Sequence, residues 1–209
     1  RIKVFYNILI NNILVYFGYK HSIITDDSKE YLEEIKKELR KFKTLKNKDL
    51  ARYEQLTSDF EVSFIQHSLS LEGNPVTLSQ TKNILKDKII PANLKIEDVE
   101  EVKNYHQALL QMLADNSNKY PLTLDAILRY HDLAMQHRPE IAGKIRKIEV
   151  YIKGNSLFKI TKAKNIEKEL QALIEKYNNF IKNKKQTLKE LLKFAVYSHN
   201  EFQHIHPFE

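Results

Sequence analysis

Apolar residues recur at three- and four-residue intervals along most of this chain, which is the period of an amphipathic helix. Tyr31, Leu32, Ile35, Leu39 and Phe42 share one face, with Asp27 or Ser28 in place to cap it. Phe60, Phe64, Ile65, Ser68 and Leu71 mark a second helix, and Gly73-Asn74-Pro75 stops it. A short helix is predicted from Ser79 to about Ile89. Val99, Val102, Tyr105 or His106, Leu109 and Leu113 define another, and Leu124, Ile127, Leu128, His131 and Met135 the next. Ile166, Leu170, Leu173, Ile174, Tyr177 and Ile181 follow. The last face is Leu188, Leu191, Leu192, Ala195, Val196, His199 and Phe202.

One segment changes period. After Arg146, Ile148, Val150 and Ile152 alternate with Lys147, Glu149 and Tyr151. Gly154-Asn155 then precedes a second apolar run, Leu157 to Ile160. Alternation, turn, alternation predicts a β-hairpin lying between helices. A lone hairpin must lean on its neighbours, and its free edge can pair with an extended peptide. The expected fold is all-α with one β-hairpin. Residues 43–50 and 182–187 are polar connections, and no repeat or low-complexity tract interrupts the chain.

Residues 1–20 are rich in apolar side chains, but Asn7, Asn11 and Asn12 break the run. A spanning helix is therefore not expected, and no small-residue cleavage site follows. A buried or interface segment is the simpler reading, and one that could serve self-association. The first residue is Arg rather than Met, as in a fragment or a processed product.

Composition narrows the class. The 209 residues are 42% hydrophobic and 29% charged, as in a globular domain. The absence of Cys excludes disulfides, thiolate metal sites and thiol nucleophiles, and it fits a reducing, cytoplasmic setting. The net charge is +7, but the Lys residues are spread over helical faces among many Glu residues. That pattern reads as solvated helix surface, not as a nucleic-acid platform.

Few residues are placed to carry chemistry. The four glycines, Gly18, Gly73, Gly143 and Gly154, are isolated, so no phosphate loop or dinucleotide fingerprint exists. His206 follows the last helix and precedes Pro207, where the backbone must leave helical geometry, and it could act as a general base. His199, His204 and His206 could in principle bind zinc. His199 and His206 lie about two turns apart, and no carboxylate is clearly placed beside them, so no metal site is assigned within this chain. Glu72 ends the second helix, four residues after Ser68 and on the same face. A carboxylate there opposes the helix dipole and wants a cationic partner.

These pieces, in this order, resemble the Fic family from roughly residue 30 onward. Ser68-Leu69-Ser70-Leu71-Glu72-Gly73 is similar to the family's inhibitory-helix motif, [S/T]-x-x-x-E-[G/N]. Ala142-Gly143-Lys144-Ile145-Arg146 resembles the entry to its flap hairpin. His206-Pro207-Phe208-Glu209 matches the opening of its active-site motif, H-x-F-x-[DE]-G-N-[GK]-R.

The resemblance implies a Fic-like helical bundle with one β-hairpin flap. Residues 1–28 would be an extension, 29–78 the N-terminal helices with the inhibitory helix, and 79–209 an incomplete core. It implies a protein adenylyltransferase that moves AMP from ATP to a Ser, Thr or Tyr hydroxyl of a target protein, with Mg²⁺. His206 would take the hydroxyl proton, and Phe208 would hold the loop in the core. Glu72, with Ser68 and Gly73, would inhibit by pairing with a motif arginine. Ile148, Glu149, Val150, Tyr151 and Ile152 would clamp the target segment. Self-association into a homodimer is common in such proteins.

The motif stops at its fourth residue, Glu209; its acidic residue, Gly-Asn-Gly turn and both arginines are absent from these 209 residues, which by themselves are expected to be inactive. The alternatives are a non-catalytic Fic-derived interaction domain, or a relative that transfers phosphate or removes AMP.

Overall fold

A computed structural model describes residues 29–151, 160–183 and 185–208. The expected N-terminal extension, Ile152 and the hairpin turn lie outside those residues. Among the described residues seven α-helices follow in order: α1 Lys29–Lys48, α2 Leu50–Leu71, α3 Leu78–Lys82, α4 Ile96–Ser117, α5 Leu124–Ala134, α6 Ile166–Lys182 and α7 Leu188–Ile205.

Local chemistry sets many of their ends. Asp49 caps α2 by accepting from the Arg52 amide. Thr77 with Gln80, and Thr187 with Glu190, form reciprocal capping boxes at α3 and α7. Helix α3 runs directly into a π-helical stretch, Asn83–Asp87, closed by Lys88 in the left-handed region. At the end of α2 the Asn74 amide reaches the Leu69 carbonyl and the Gly73 amide the Ser70 carbonyl. That is the Schellman arrangement, and Gly73 sits at φ +92°, where an L side chain is strained.

Two apolar clusters hold the helices together. The first joins α2, the π stretch and α4 through Phe64, Ile65, Leu69, Ile84, Val102 and Leu109. The second joins α5, α6 and α7 through Ile127, Ile166, Leu170, Ile174 and Ile205. Helix α5 packs on α4 as well as on α6, and α1 touches both α2 and α7. Each fully buried Ile or Leu contributes about 1.5–3 kcal/mol, so these clusters, not the caps, dominate the packing energy.

The all-α expectation holds among the described residues, but the hairpin does not appear there. Residues 147–151 run without strand pairing. Their polar groups are engaged otherwise: the Arg146 guanidinium takes the Ile148 carbonyl, and the Glu149 carboxylate accepts from the Ala163 amide. Ile148, on the apolar side of the alternation, is 58% exposed. The second helix also ends at Leu71, which is 63% exposed and not on the buried face; Leu69 takes its place in the core.

Candidate active site

The end of α7 is built around His206. Its amide closes the helix on the Phe202 carbonyl, and its backbone turns to φ 43°, ψ 65°. A left-handed conformation costs a non-glycine residue about 1–2 kcal/mol, so neighbouring contacts must hold it. They come from the segment before α6. The Arg146 amide donates to the Pro207 carbonyl at 2.9 Å, and its Nε donates to the His206 carbonyl at 2.6 Å. The Thr161 amide donates to the His204 carbonyl at 2.8 Å. Pro207, which has no amide hydrogen, is buried, and the helix cannot continue through it.

Phe208 folds back onto the second cluster. Its ring lies parallel to that of His131 on α5, with centroids 3.8 Å apart, and 6.3 Å from Phe202 on α7. The His131 Nδ1 in turn accepts from the Gly143 amide at 3.1 Å. A chain of contacts therefore runs from Gly143 through His131 to Phe208, two residues beyond His206. His206 itself is half-buried at the helix end, a place from which an imidazole can exchange a proton with a bound molecule.

A Fic/DOC family model matches residues 121–209, the span that contains α5, Arg146 and the His206 turn. Over those residues the chain is similar to Fic/DOC domains. It is 28% identical over 149 residues to the protein adenylyltransferase Fic of Aedes aegypti, covering 70% of this chain and 28% of that protein. It is 26% identical over 145 residues to the protein of the same name from Drosophila melanogaster, covering 69% and 28%. The chain thus spans under a third of the length of these curated relatives. Among solved structures, a Fic domain containing signaling protein from Bacteroides thetaiotaomicron superposes with a TM-score of 0.69 at 26% identity. That match covers 83% of this chain and 65% of the other. A Fic family protein from Desulfovibrio desulfuricans shares the fold, with a TM-score of 0.63 at 19% identity over 90% of this chain and 54% of its own.

The candidate residues fall in two groups. His206 and Phe208 come together with Arg146 and His131; periodicity placed His131 on the inner face of its helix but gave no sign of its Phe208 partner, and it did not single out Arg146. Ser68, Glu72 and Gly73 sit at the end of α2, beside the first cluster. Ser68 is buried, and its hydroxyl makes no hydrogen bond among the described residues. Glu72 is the half-buried C-cap of α2. The turn after it is fixed by Asn74, whose side chain donates to the Asp98 carbonyl and the Glu101 carboxylate and accepts from the Val76 amide. Of the flap residues, Ile148, Glu149 and Tyr151 are exposed and Val150 half-buried, while Ile152 lies outside the described residues.

Two polar clusters escaped the periodicity. Glu61 on α2 accepts from Lys86 at 2.9 Å and lies 3.3 Å from the His106 Nε2. The His106 hydrogen bond, then Lys86, holds its carboxyl below the usual range. Asp115 on α4 accepts from Gln111, Arg129 and Tyr130. The Tyr130 bond leads in holding the Asp115 carboxyl low, and burial, then Asp115, pushes the Tyr130 phenol up to about 12. Both clusters stitch helices together.

His199 is buried and His204 exposed. Among the described residues no three His, Asp or Glu side chains are placed to hold a metal ion. No described helix is long and apolar enough to cross a membrane. An open cavity of about 440 Å³ between the start of α5 and α6 is lined by Leu122, Thr123, Ile174 and Asn178 and by none of the candidate residues.

Proposed function

We propose that this protein is a protein adenylyltransferase that moves AMP from ATP to a hydroxyl side chain of a target protein. One observation carries the reading: His206 stands at the end of α7 in a held, left-handed turn, with the following Phe208 packed against His131. The curated relatives bearing the adenylyltransferase name support it. In the proposed step His206 accepts the proton of the target Ser, Thr or Tyr. The freed oxygen attacks the α-phosphorus of ATP, the bond to the β-phosphate bridging oxygen breaks, and pyrophosphate leaves. Positioning and charge neutralisation supply most of the acceleration in such transfers. When bound, Mg²⁺ would neutralise phosphate charge; the described residues do not form its site, and no step here passes through it.

The same reading gives Glu72 an inhibitory role from the end of α2, with Ser68 and Gly73 as its support. Ile148 to Ile152 are the proposed docking edge for the target segment, and a homodimer is the proposed assembly. The test is intact mass of the full-length protein after incubation with ATP and Mg²⁺, alongside Glu72→Gly. An AMP adduct that rises in Glu72→Gly supports the proposal. No adduct in either form favours the non-catalytic interaction domain, and a phosphate adduct favours the relative that transfers phosphate.

A further inference from the structure

Three separated stretches of chain meet on one buried cation. Arg146 is 2% exposed. Its Nε donates to the His206 carbonyl at 2.6 Å, and its Nη1 to the Ile148 carbonyl at 2.6 Å. Its Nη2 donates to the Thr161 carbonyl at 2.6 Å and reaches the Ile205 carbonyl at 3.4 Å. The acceptors are Ile148, Thr161 and the residues at the end of α7.

The arrangement uses what distinguishes Arg from Lys. A guanidinium offers five donors in a planar fork, whereas an ammonium is a point donor with no fixed fan. The last carbonyls of a helix lack intrahelical partners and carry the negative end of its dipole, so a cation there is favoured twice over. Here the cation also takes the carbonyl of the one residue of the α7 turn in the left-handed region.

We propose that Arg146 is a positioning residue for the proton acceptor His206 and that it ties the backbone of His206 to the carbonyls of Ile148 and Thr161. Movement of residue 148 or 161 is felt at residue 206 through the guanidinium. The inference rests on the reading of His206 as the base in AMP transfer.

The experiment uses the full-length protein in a Glu72→Gly background, with Arg146→Lys and Arg146→Met. Both variants lose turnover at saturating ATP, Arg146→Met by roughly 100-fold, the scale of a misplaced reacting group, and Arg146→Lys by less. The affinity for ATP changes far less than the turnover does. The Cα and Cβ chemical shifts of His206 leave the left-handed range in both. Full turnover in Arg146→Lys overturns the proposal, as does a loss of ATP affinity that accounts for the loss of rate. Loss of folding in both variants assigns Arg146 to global stability and overturns it too. If Glu72→Gly itself transfers no AMP, the functional reading fails, and the His206 chemical shifts alone decide whether Arg146 sets that backbone.

Discussion

His131 and Phe208 lie ring on ring, with planes 3° from parallel and centroids 3.8 Å apart, although 77 positions separate them in sequence. The Gly143 amide fixes the imidazole by donating to its Nδ1, so the partner of Phe208 is itself held. Replacing His131 by Ala removes both the ring contact and the acceptor for a half-buried amide. The expected loss is about 1–3 kcal/mol, from an aromatic pair and an unmet donor. Urea unfolding measures it, and AMP transfer falls with it because Phe208 no longer anchors the turn after His206. Unchanged stability would remove this stack from the account.

Two glycines sit in the left-handed region and answer differently to Ala. At Gly73, φ +92°, an added methyl meets nothing within 4 Å, so only backbone strain of about 1–2 kcal/mol is expected. At Gly143, φ +65°, the methyl comes 3.1 Å from the Asp132 Cβ, so Asp132 must give by a few tenths of an ångström beside the amide that fixes His131. Thermal unfolding should therefore rank Gly143→Ala as clearly more damaging than Gly73→Ala. Equal costs would contradict the role given to the Gly143–His131 contact.

Much of this could be read from the chain, for reasons that differ by element. The helices are local objects, and their 3.6-residue period shows in Ile166, Leu170, Leu173 and Ile174, all of which are buried. The stop after α2 was legible because a left-handed residue followed by Asn-Pro permits little else. The hairpin expected at Ile148 is not seen among the described residues, where side chains of Arg146 and Glu149 engage the neighbouring backbone. Arg146 itself was legible only as part of a family motif. Its acceptors are backbone carbonyls, which carry no residue identity, and two of them lie about sixty positions away. Leu191 and Val196 were expected on the buried face of α7, yet both are exposed among the described residues. The Phe208 residue of the motif was legible, but its His131 partner depends on how α5 crosses the end of α7.

Glu61 makes stability pH-dependent in a defined direction. Its folded carboxyl is held below the ordinary 4.5 by His106 first and Lys86 next. The stabilisation is therefore present above the unfolded value and is lost as pH falls through the folded one. Glu61→Gln should cost about 1–2 kcal/mol at pH 7, and the gap should close in acid. Urea unfolding across pH 3 to 7, a range set by the carboxylate titration, checks both the size and the sign. A gap that persists in acid would show that the carboxylate charge is not what Lys86 and His106 recognise.

Tyr130 gives the opposite sign. Its phenol is pushed up to about 12, by burial and then by Asp115. Its hydrogen bond to Asp115 contributes stability below the unfolded value of 10.0 and loses it as pH rises toward 12. Ultraviolet titration of wild type against Tyr130→Phe should remove an absorbance step above that of the other tyrosines. Tyr130→Phe should also cost about 1 kcal/mol at neutral pH, the usual worth of one hydrogen bond. A missing step at ordinary pH would contradict the assignment.

The central claim is that His206 serves AMP transfer restrained by Glu72. The most direct measurement compares labelling of the full-length Glu72→Gly protein by ATP carrying the radioactive phosphorus at the α or the γ position, with Glu72→Gly/His206→Ala beside it. The account predicts label from α-ATP alone, more than in wild type, and none in the His206→Ala form. Label from γ-ATP, or α-label that survives the loss of His206, would contradict it.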